Sequence, residues 1–355
     1  MCKKIVPVLF IIMFATSILL SSCSGSSSAS QQPDTTDSQL PTATTAPAEP
    51  LAFNNPVKYS VTYSVTISST GFTPSDIRLY LPAPSAWDAQ RDVVISEVMP
   101  QPTSQAAEPD NDNLILYWQL TNSPARSAQV VLTQKFDLTA YETNTSIDPA
   151  QLNAYDTSTP EYQKYTSPEK YIESDDERIV ALAEQIAGQE KNPYVLARLF
   201  YDHIIQTARY QKLGQGLNGA LYLLTNGKGE CGDYSSLFIA LCRARGIPAR
   251  PIVGYWAISG NDQTHVWAEF FLEGIGWIPV DPTIGQQSPE YEDYYFGNMD
   301  NQRIILSKGF NHKLVPSAPD DYVAAILQVP LWWYWGKGDA DQLSMSRSWI
   351  VSTGS

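Results

Sequence analysis

The chain contains the stretch GECGDYSSLFIALCRARGIPAR at residues 229–250. After Cys231 the apolar side chains recur at helical spacing, which predicts a helix that starts at or within one turn of Cys231. Gly246 and Pro248 predict its end, because glycine favours the position after a helix and proline cannot continue one. Unpaired N–H groups and the dipole at a helix start favour the thiolate, the reactive form of cysteine. A lone cysteine is more often a small buried apolar residue, so the role of Cys231 depends on its partners.

A histidine and an aspartate follow this cysteine in chain order. The segments THVWAEFF (264–271) and GWIPVDPT (276–283) predict two short strands joined by a turn. His265 and Asp281 each lie eight residues from Glu273, so a tight hairpin places them opposite or nearly opposite one another. His265 would then take the proton of Cys231, and Asp281 would orient the imidazole and stabilise the imidazolium. The alternatives are a surface or core histidine and an ordinary turn aspartate.

These segments resemble the transglutaminase-like superfamily, whose members have a papain-like fold. The resemblance covers roughly residues 175–310 and rests on the cysteine at a helix start, the CRARGIPAR passage into a strand, HVWAEF and GWIPVDPT. It implies that Cys231 is the acyl-accepting nucleophile, His265 the base and Asp281 the orienting acid. It also implies a peptide or protein carboxamide as substrate, a thioester intermediate, and an amine or water that completes the reaction.

The resemblance leaves the oxyanion-stabilising group open. Gln211, which follows Tyr210, is a candidate side chain, and the backbone N–H of Cys231 is a second donor. Nothing in the sequence suggests a cofactor or a metal site. Cys242 lies eleven residues after Cys231 on one predicted helix, about 16 Å away. A disulfide requires Cα atoms within about 7 Å, so Cys242 is predicted to be helix core.

The N-terminus predicts the compartment. Lys3 and Lys4 precede an apolar run, which is typical of a secretory signal, here residues 1–22. A transmembrane helix is the alternative, but the run is short and interrupted by Pro7. The end Leu-Ser-Ser-Cys resembles a bacterial lipoprotein processing site, which would lipidate Cys23 and anchor the protein to a membrane outside the cytoplasm. Secretion without an anchor is the alternative. Residues 23–54 are rich in Ser, Thr and Pro and predict a flexible tether.

Beyond the tether the pattern becomes that of strands. Apolar and polar residues alternate over 57–68, which predicts a strand buried on one face. Further segments of this kind, separated by turn residues, predict a small all-β sandwich over residues 55–140. It contains no catalytic cluster, so a binding or spacer role is expected. Residues 141–170 are predicted to form a linker, 171–315 the catalytic domain and 316–355 a C-terminal extension. The cluster LWWYW (331–335) in that extension predicts either a packed strand or a surface for sugars or peptides.

The expected fold class is therefore α+β: a papain-like transglutaminase core, made of a helix bundle and an antiparallel sheet, preceded by a small all-β sandwich. The formal net charge of −14 predicts repulsion from nucleic acid and from anionic lipid. Three functions remain open. They are acyl transfer to an amine or water on protein carboxamides, hydrolysis as a cysteine protease or amidase, and non-catalytic binding at the cell surface.

Overall fold

A computed structural model of the protein describes residues 49–121, 129–214, 216–258 and 264–354. The predicted signal peptide, Cys23 and the tether up to residue 48 lie outside the described residues. Within the described ranges, the helices are all too short or too polar to cross a membrane. The predicted α+β class is confirmed, with antiparallel sheets in both halves of the chain and helices grouped around one of them.

The strands follow one another along the described chain as β1 (Leu51–Ser69), β2 (Phe72–Pro82), β3 (Gln90–Met99), β4 (Ser104–Ala107), β5 (Leu114–Thr121), β6 (Val130–Thr145), β7 (Arg209–Tyr210), β8 (Lys228–Gly229), β9 (Ala249–Trp256), β10 (Thr264–Leu272), β11 (Gly276–Val280), β12 (Arg303–Lys308), β13 (His312–Lys313), β14 (Val323–Ala324), β15 (Leu331–Gly338) and β16 (Leu343–Thr353). The helices are α1 (Pro160–Thr166), α2 (Glu177–Ala187), α3 (Pro193–Thr207), α4 (Ala220–Asn226), α5 (Cys231–Ala244) and α6 (Pro282–Gln287).

Two four-stranded sheets form the sandwich, in the orders β16-β1-β6-β3 and β15-β2-β5-β4. The alternation in β1 buries one face of the strand, including Tyr63, Val65 and Ile67, in a core shared by both sheets. A period of two is what places these side chains on a single face.

The sheet pairing differs from the predicted sandwich boundaries, residues 55 and 140, at both ends. β1 begins at Leu51, within the predicted tether of residues 23–54, because its first residues pair with β6. β6 continues to Thr145, inside the predicted linker, and α1 also lies in that segment. The predicted C-terminal extension supplies two strands of the sandwich, because β15 pairs with β2 and β16 pairs with β1. Trp333 of the LWWYW cluster is buried in this packing, against Tyr80 and Tyr322. Pairing across so many intervening residues leaves no local trace in a sequence, so the extension could not be assigned to the sandwich.

The second half of the chain packs helices against a central sheet of order β11-β10-β9-β12. Helix α5 lies at the centre of its core, with α2, α3 and α4 around it and β9 and β10 against it. Gly246 ends α5 in a left-handed conformation with φ of 70°. At Gly254 in β9 a Cβ atom would lie 2.1 Å from the carbonyl oxygen of Ile304, so only glycine permits the close approach of β12.

The two halves share a hydrophobic core. Tyr255 of β9 projects into the sandwich, where it stacks on Trp349 at a centroid distance of 4.3 Å. Its hydroxyl lies 3.1 Å from that of Tyr63, and both groups are buried. Ile304 and Leu306 of β12 join the same core. The sandwich thus directly supports the sheet that carries His265.

Candidate active site

Helix α5 begins at Cys231, which is partly exposed. The residue before it, Glu230, donates its backbone N–H to Asp233 Oδ2 at 3.0 Å. Gly232 packs closely against the loop before the helix, because a Cβ atom there would lie 2.7 Å from Leu217 Cδ1, the end of a side chain that would have to move. The thiol is therefore held at a helix start, where free N–H groups favour negative charge.

Two carboxylates of this helix start also hold the preceding loop. Glu230 Oε1 accepts hydrogen bonds from the backbone N–H groups of Leu213 and of Gly214, the latter at 2.6 Å. Asp233 Oδ1 accepts from Asn218 and Gly219, each at 2.9 Å. These bonds fix the loop beside Cys231 and shape one wall of the site.

His265 and Asp281 meet as the hairpin predicts, although not as direct cross-strand partners. Ala268 faces Val280, so the register centres the hairpin one residue later than Glu273 and makes the two residues diagonal neighbours. Even so, His265 Nε2 lies 2.6 Å from Asp281 Oδ2, and both side chains are buried. Asp281 Oδ1 accepts from the N–H groups of Thr283 and Ile284, each at 3.1 Å, and thereby caps α6. The carboxylate is held on both oxygens.

The thiol and the imidazole are also brought together. Cys231 is a hydrogen-bond partner of the His265 side chain. Because Nε2 binds Asp281, Nδ1 is the ring nitrogen that is left for the thiol. The structure thus joins the three residues that the sequence singled out into one thiol–imidazole–carboxylate chain.

Arg303 completes the site from β12. Its Nη1 lies 2.5 Å from Asp281 Oδ2, the oxygen that also binds His265, and its Nη2 lies 3.1 Å from Asp300 Oδ2. The guanidinium packs 4.4 Å from the ring centroid of Trp256, and His265 stacks on the same ring at 5.0 Å. Such contacts stabilise a buried cation, and the guanidinium helps to hold the carboxylate oxygen that binds the imidazole.

The charges of this cluster set its protonation. Burial disfavours the imidazolium, but the Asp281 carboxylate and hydrogen bonds to Asp281 and Cys231 outweigh burial and raise the pKa of His265 to about 9. Burial alone would raise the pKa of Asp281, yet His265 and Arg303 hold it well below its ordinary value. The site therefore favours an imidazolium beside an ionised Asp281 at neutral pH.

The sequence did not reveal Arg303 or Gln328 as parts of the site. Gln328 Nε2 donates to the backbone oxygens of Gly254 and His265, at 2.8 and 3.0 Å, and so fastens the strand that carries the imidazole. An arginine opening the apolar run RIIL was a usable signal for Arg303, because a buried arginine needs a carboxylate. For Gln328 the sequence offers no such signal.

The proposed oxyanion residue Gln211 has an exposed side chain, and its backbone N–H donates to the carbonyl of Gly229 at 2.9 Å. Tyr210, the residue before it, lies near enough to Cys231 for their charges to interact. Burial, then the charges of Cys231 and Glu230, raise the pKa of its phenol. The oxyanion role of Gln211 stays a prediction. The described part of the chain holds no cluster of three or more His, Cys, Asp or Glu side chains suited to a metal ion.

Comparison with known proteins agrees with this geometry. Residues 180–282 match the family model of the transglutaminase-like superfamily. Residues 180–282 form a transglutaminase-like domain. The chain shares its fold with a "putative cysteine protease" from Cytophaga hutchinsonii, at 19% identity and a TM-score of 0.58, over 85% of this chain and 92% of that one.

The transglutaminase-like domain also has curated relatives. An uncharacterized protein of Haemophilus influenzae is 31% identical over 42% of this chain and 50% of its own length. A protein-glutamine gamma-glutamyltransferase of Pseudomonas aeruginosa is 32% identical over 19% of this chain and 12% of its own length. The chain thus spans half the length of the first relative and far less of the second.

The two cysteines of the transglutaminase-like domain should differ in reactivity. Cys242 is fully buried, and burial raises the pKa of its thiol well above the ordinary value. Cys231 is partly exposed and pairs with His265. Iodoacetamide near neutral pH should label Cys231 about 100-fold faster than Cys242, as read by peptide mass spectrometry. Equal rates, or faster labelling of Cys242, would contradict a reactive thiol at the start of α5.

His265 should make stability depend on pH. Its pKa is raised from 6.5 to about 9 in the folded protein, so its contribution is fully present below pH 6.5 and is lost as the pH rises through 9. Relative to a His265→Gln variant, the free energy of unfolding should fall by about 3 kcal/mol across this window. Urea denaturation of both proteins at several pH values measures the difference. If the difference in free energy of unfolding between the two proteins stays constant or grows as the pH rises, the folded protein does not stabilise the imidazolium.

Proposed function

We propose that the protein is a cysteine enzyme that transfers the acyl group of a peptide or protein carboxamide to an amine or to water. The observation that carries this proposal is the chain from Cys231 through His265 to Asp281, in which the imidazole lies 2.6 Å from the carboxylate and also binds the thiol. Three buried or half-buried polar groups in this order are the components of an activated sulfur nucleophile.

The reaction follows from these positions. His265 holds the proton of the Cys231 thiol, and the resulting thiolate attacks the carboxamide carbon, whose carbonyl oxygen becomes an oxyanion. His265 gives a proton to the leaving nitrogen, so that the C–N bond breaks and ammonia departs, leaving a thioester on Cys231. An amine or water then attacks the thioester and loses its proton to His265. The C–S bond breaks, which releases the product and restores the Cys231 thiolate beside the His265 imidazolium. Asp281 remains ionised throughout, because Arg303 holds its negative charge.

The substrate class is supported by one relative and by charge. The Pseudomonas aeruginosa relative is named as acting on protein glutamine. A net charge of −14 disfavours nucleic acid as a partner. A glutamine-containing peptide is therefore the first substrate to test.

A single incubation separates the reactions that the same thiol could perform. The protein is mixed with a glutamine peptide and a labelled primary amine, and Cys231→Ala serves as the matched control. Labelled peptide with ammonia release identifies acyl transfer to amines, and ammonia release without label identifies an amidase. Cleavage of the peptide backbone identifies a protease. If the folded protein forms none of these products, the result would favour a non-catalytic surface binding module and contradict the proposal.

We also propose that the protein is an extracytoplasmic lipoprotein anchored through Cys23. The supporting observations are the signal-like residues 1–22, the Leu-Ser-Ser-Cys sequence and the tether composition of residues 23–54. One acyl chain binds membranes only marginally, so stable anchoring needs more than one.

Expression in a bacterial host tests the anchor. The wild-type protein should partition into detergent, and Cys23→Ala should appear in the aqueous phase or remain unprocessed. The measurement is phase separation followed by intact-mass analysis. A Cys23→Ala protein that is processed and partitions into detergent like the wild type would exclude lipidation at this residue.

A further inference from the structure

A cleft of about 530 Å³ lies between the sandwich and the face of the central sheet that points away from α5. Its walls come from both halves of the chain and include Phe53, Trp87, Arg250, Ile252, Glu269 and Lys308. This volume falls in the range of small-molecule sites, about 300–1,000 Å³. The cleft is distinct from the thiol site. Along β10, the buried Trp267 lies between Glu269 in the cleft and His265.

The ammonium group of Lys308 lines this cleft and forms no ion pair with a carboxylate of the described residues. Among the described residues, no carboxylate oxygen lies within 4.0 Å of its Nζ, which instead sits 4.6 Å from the ring centroid of Trp87. Burial, then the charges of Arg250 and Lys164, lower the pKa of Lys308, and Asp112 and Glu269 oppose this only in part. Arg250 itself is satisfied, because it binds Glu269 at 2.8 Å and stacks on Trp277 at 3.8 Å.

Trp87 supplies an aromatic wall beside this ammonium. Its ring lines the cleft, and the Nζ of Lys308 lies over that ring, 4.6 Å from its centroid. Asp88, which also lines the cleft, is exposed and lies at its rim. The cleft thus combines a partly desolvated ammonium with the aromatic surfaces of Phe53 and Trp87.

We propose that this cleft binds a small organic carboxylate. The carboxylate would pair with Lys308, and the apolar part of the ligand would lie against the rings of Phe53 and Trp87. An ion pair in a partly buried cleft is stronger than one at the surface, because water screens it less.

Phenylacetate is a suitable probe, and 2-phenylethanol is its neutral counterpart. The protein, which contains nine tryptophans, is labelled with 5-fluorotryptophan, and Trp87→Phe assigns the ¹⁹F signal of Trp87. Phenylacetate should shift this signal saturably with a millimolar Kd, about −4 kcal/mol in binding free energy. Lys308→Met should weaken binding about tenfold or more, whereas Lys308→Arg should retain it. 2-Phenylethanol should bind as weakly as phenylacetate binds to Lys308→Met.

The controls keep the proposal falsifiable. Thermal denaturation verifies that each variant is folded, and Lys308→Arg provides a charged variant if Lys308→Met is unstable. If an acetylated Glu-Glu amide displaces phenylacetate, the natural ligand is an acidic peptide side chain. If it does not, the natural ligand is a free small acid. An unmoved Trp87 signal at about 20 mM phenylacetate, or equal binding by Lys308→Met, would overturn the site.

Discussion

Replacing Cys231 with alanine should abolish turnover, and His265→Ala should reduce it nearly as far. Each change should lower kcat by at least about 1,000-fold, because removing one member of such a set disables the whole nucleophile. Asp281→Asn should cost less, since it keeps a side chain at the position but weakens the imidazolium. The losses at His265 and Asp281 should not add in the double variant, because both residues act only through Cys231. Ammonia release from a glutamine peptide provides the rate.

Cys242→Ala is the matched control for the thiol. Cys242 lies on the same helix but is fully buried, so its loss should change stability rather than the chemistry. Circular dichroism of every variant verifies the fold. Full activity in a folded Cys231→Ala protein would refute the mechanism. Additive losses at His265 and Asp281 would instead show that the two residues have separate roles.

Arg303→Met should lower both stability and activity. It leaves the buried Asp281 carboxylate without its guanidinium partner at 2.5 Å. Breaking a buried ion pair from one side costs about 3–5 kcal/mol. The rate should fall about 100-fold, because the carboxylate is no longer held against the imidazole. Removing a cation should also raise the pKa of His265 further, so the alkaline limb of the pH–rate profile should move to higher pH. Urea denaturation and pH–rate profiles measure both effects.

Arg243→Met provides a matched comparison. Arg243 is also buried, and it pairs with Glu169 at 2.9 Å, at the far end of α5 from Cys231. Its loss should destabilise the protein to a similar extent without moving the pH–rate profile. Arg303→Lys should restore the profile in part, because it keeps the charge. If Arg303→Met and Arg243→Met had the same effect on the profile, Arg303 would have only a structural role.

Local signals in the sequence indicate which three side chains the structure brings together at the candidate site. The helix that begins at Cys231 follows from apolar spacing and from Gly246, and the hairpin that joins His265 to Asp281 follows from two short strands and a glycine-containing turn. The sequence thus predicts these three side chains and their order along the chain, because each local pattern spans fewer than about twenty residues. The diagonal register of the hairpin was not readable, since it depends on the turn geometry at Gly274, which has φ of 80°.

Contacts between distant segments were beyond the reach of the sequence. The pairing of β16 with β1 joins Val61 to Val351, and neither strand contains a pattern that identifies its partner. Arg303 reaches Asp281 only because β12 pairs with β9 on the other side of the sheet from β11. The sequence therefore indicates the three residues of the thiol–imidazole–carboxylate chain. It does not indicate Arg303, which holds Asp281 from another strand.

Trapping the acyl-enzyme tests the central claim most directly. The protein is mixed with a glutamine peptide, quenched in acid within the first turnovers, and digested for mass spectrometry. The account predicts an adduct on Cys231 equal to the peptide less ammonia, absent from Cys231→Ala and depleted when an amine acceptor is added. Turnover with no adduct on Cys231, and at an unchanged rate in Cys231→Ala, would contradict it.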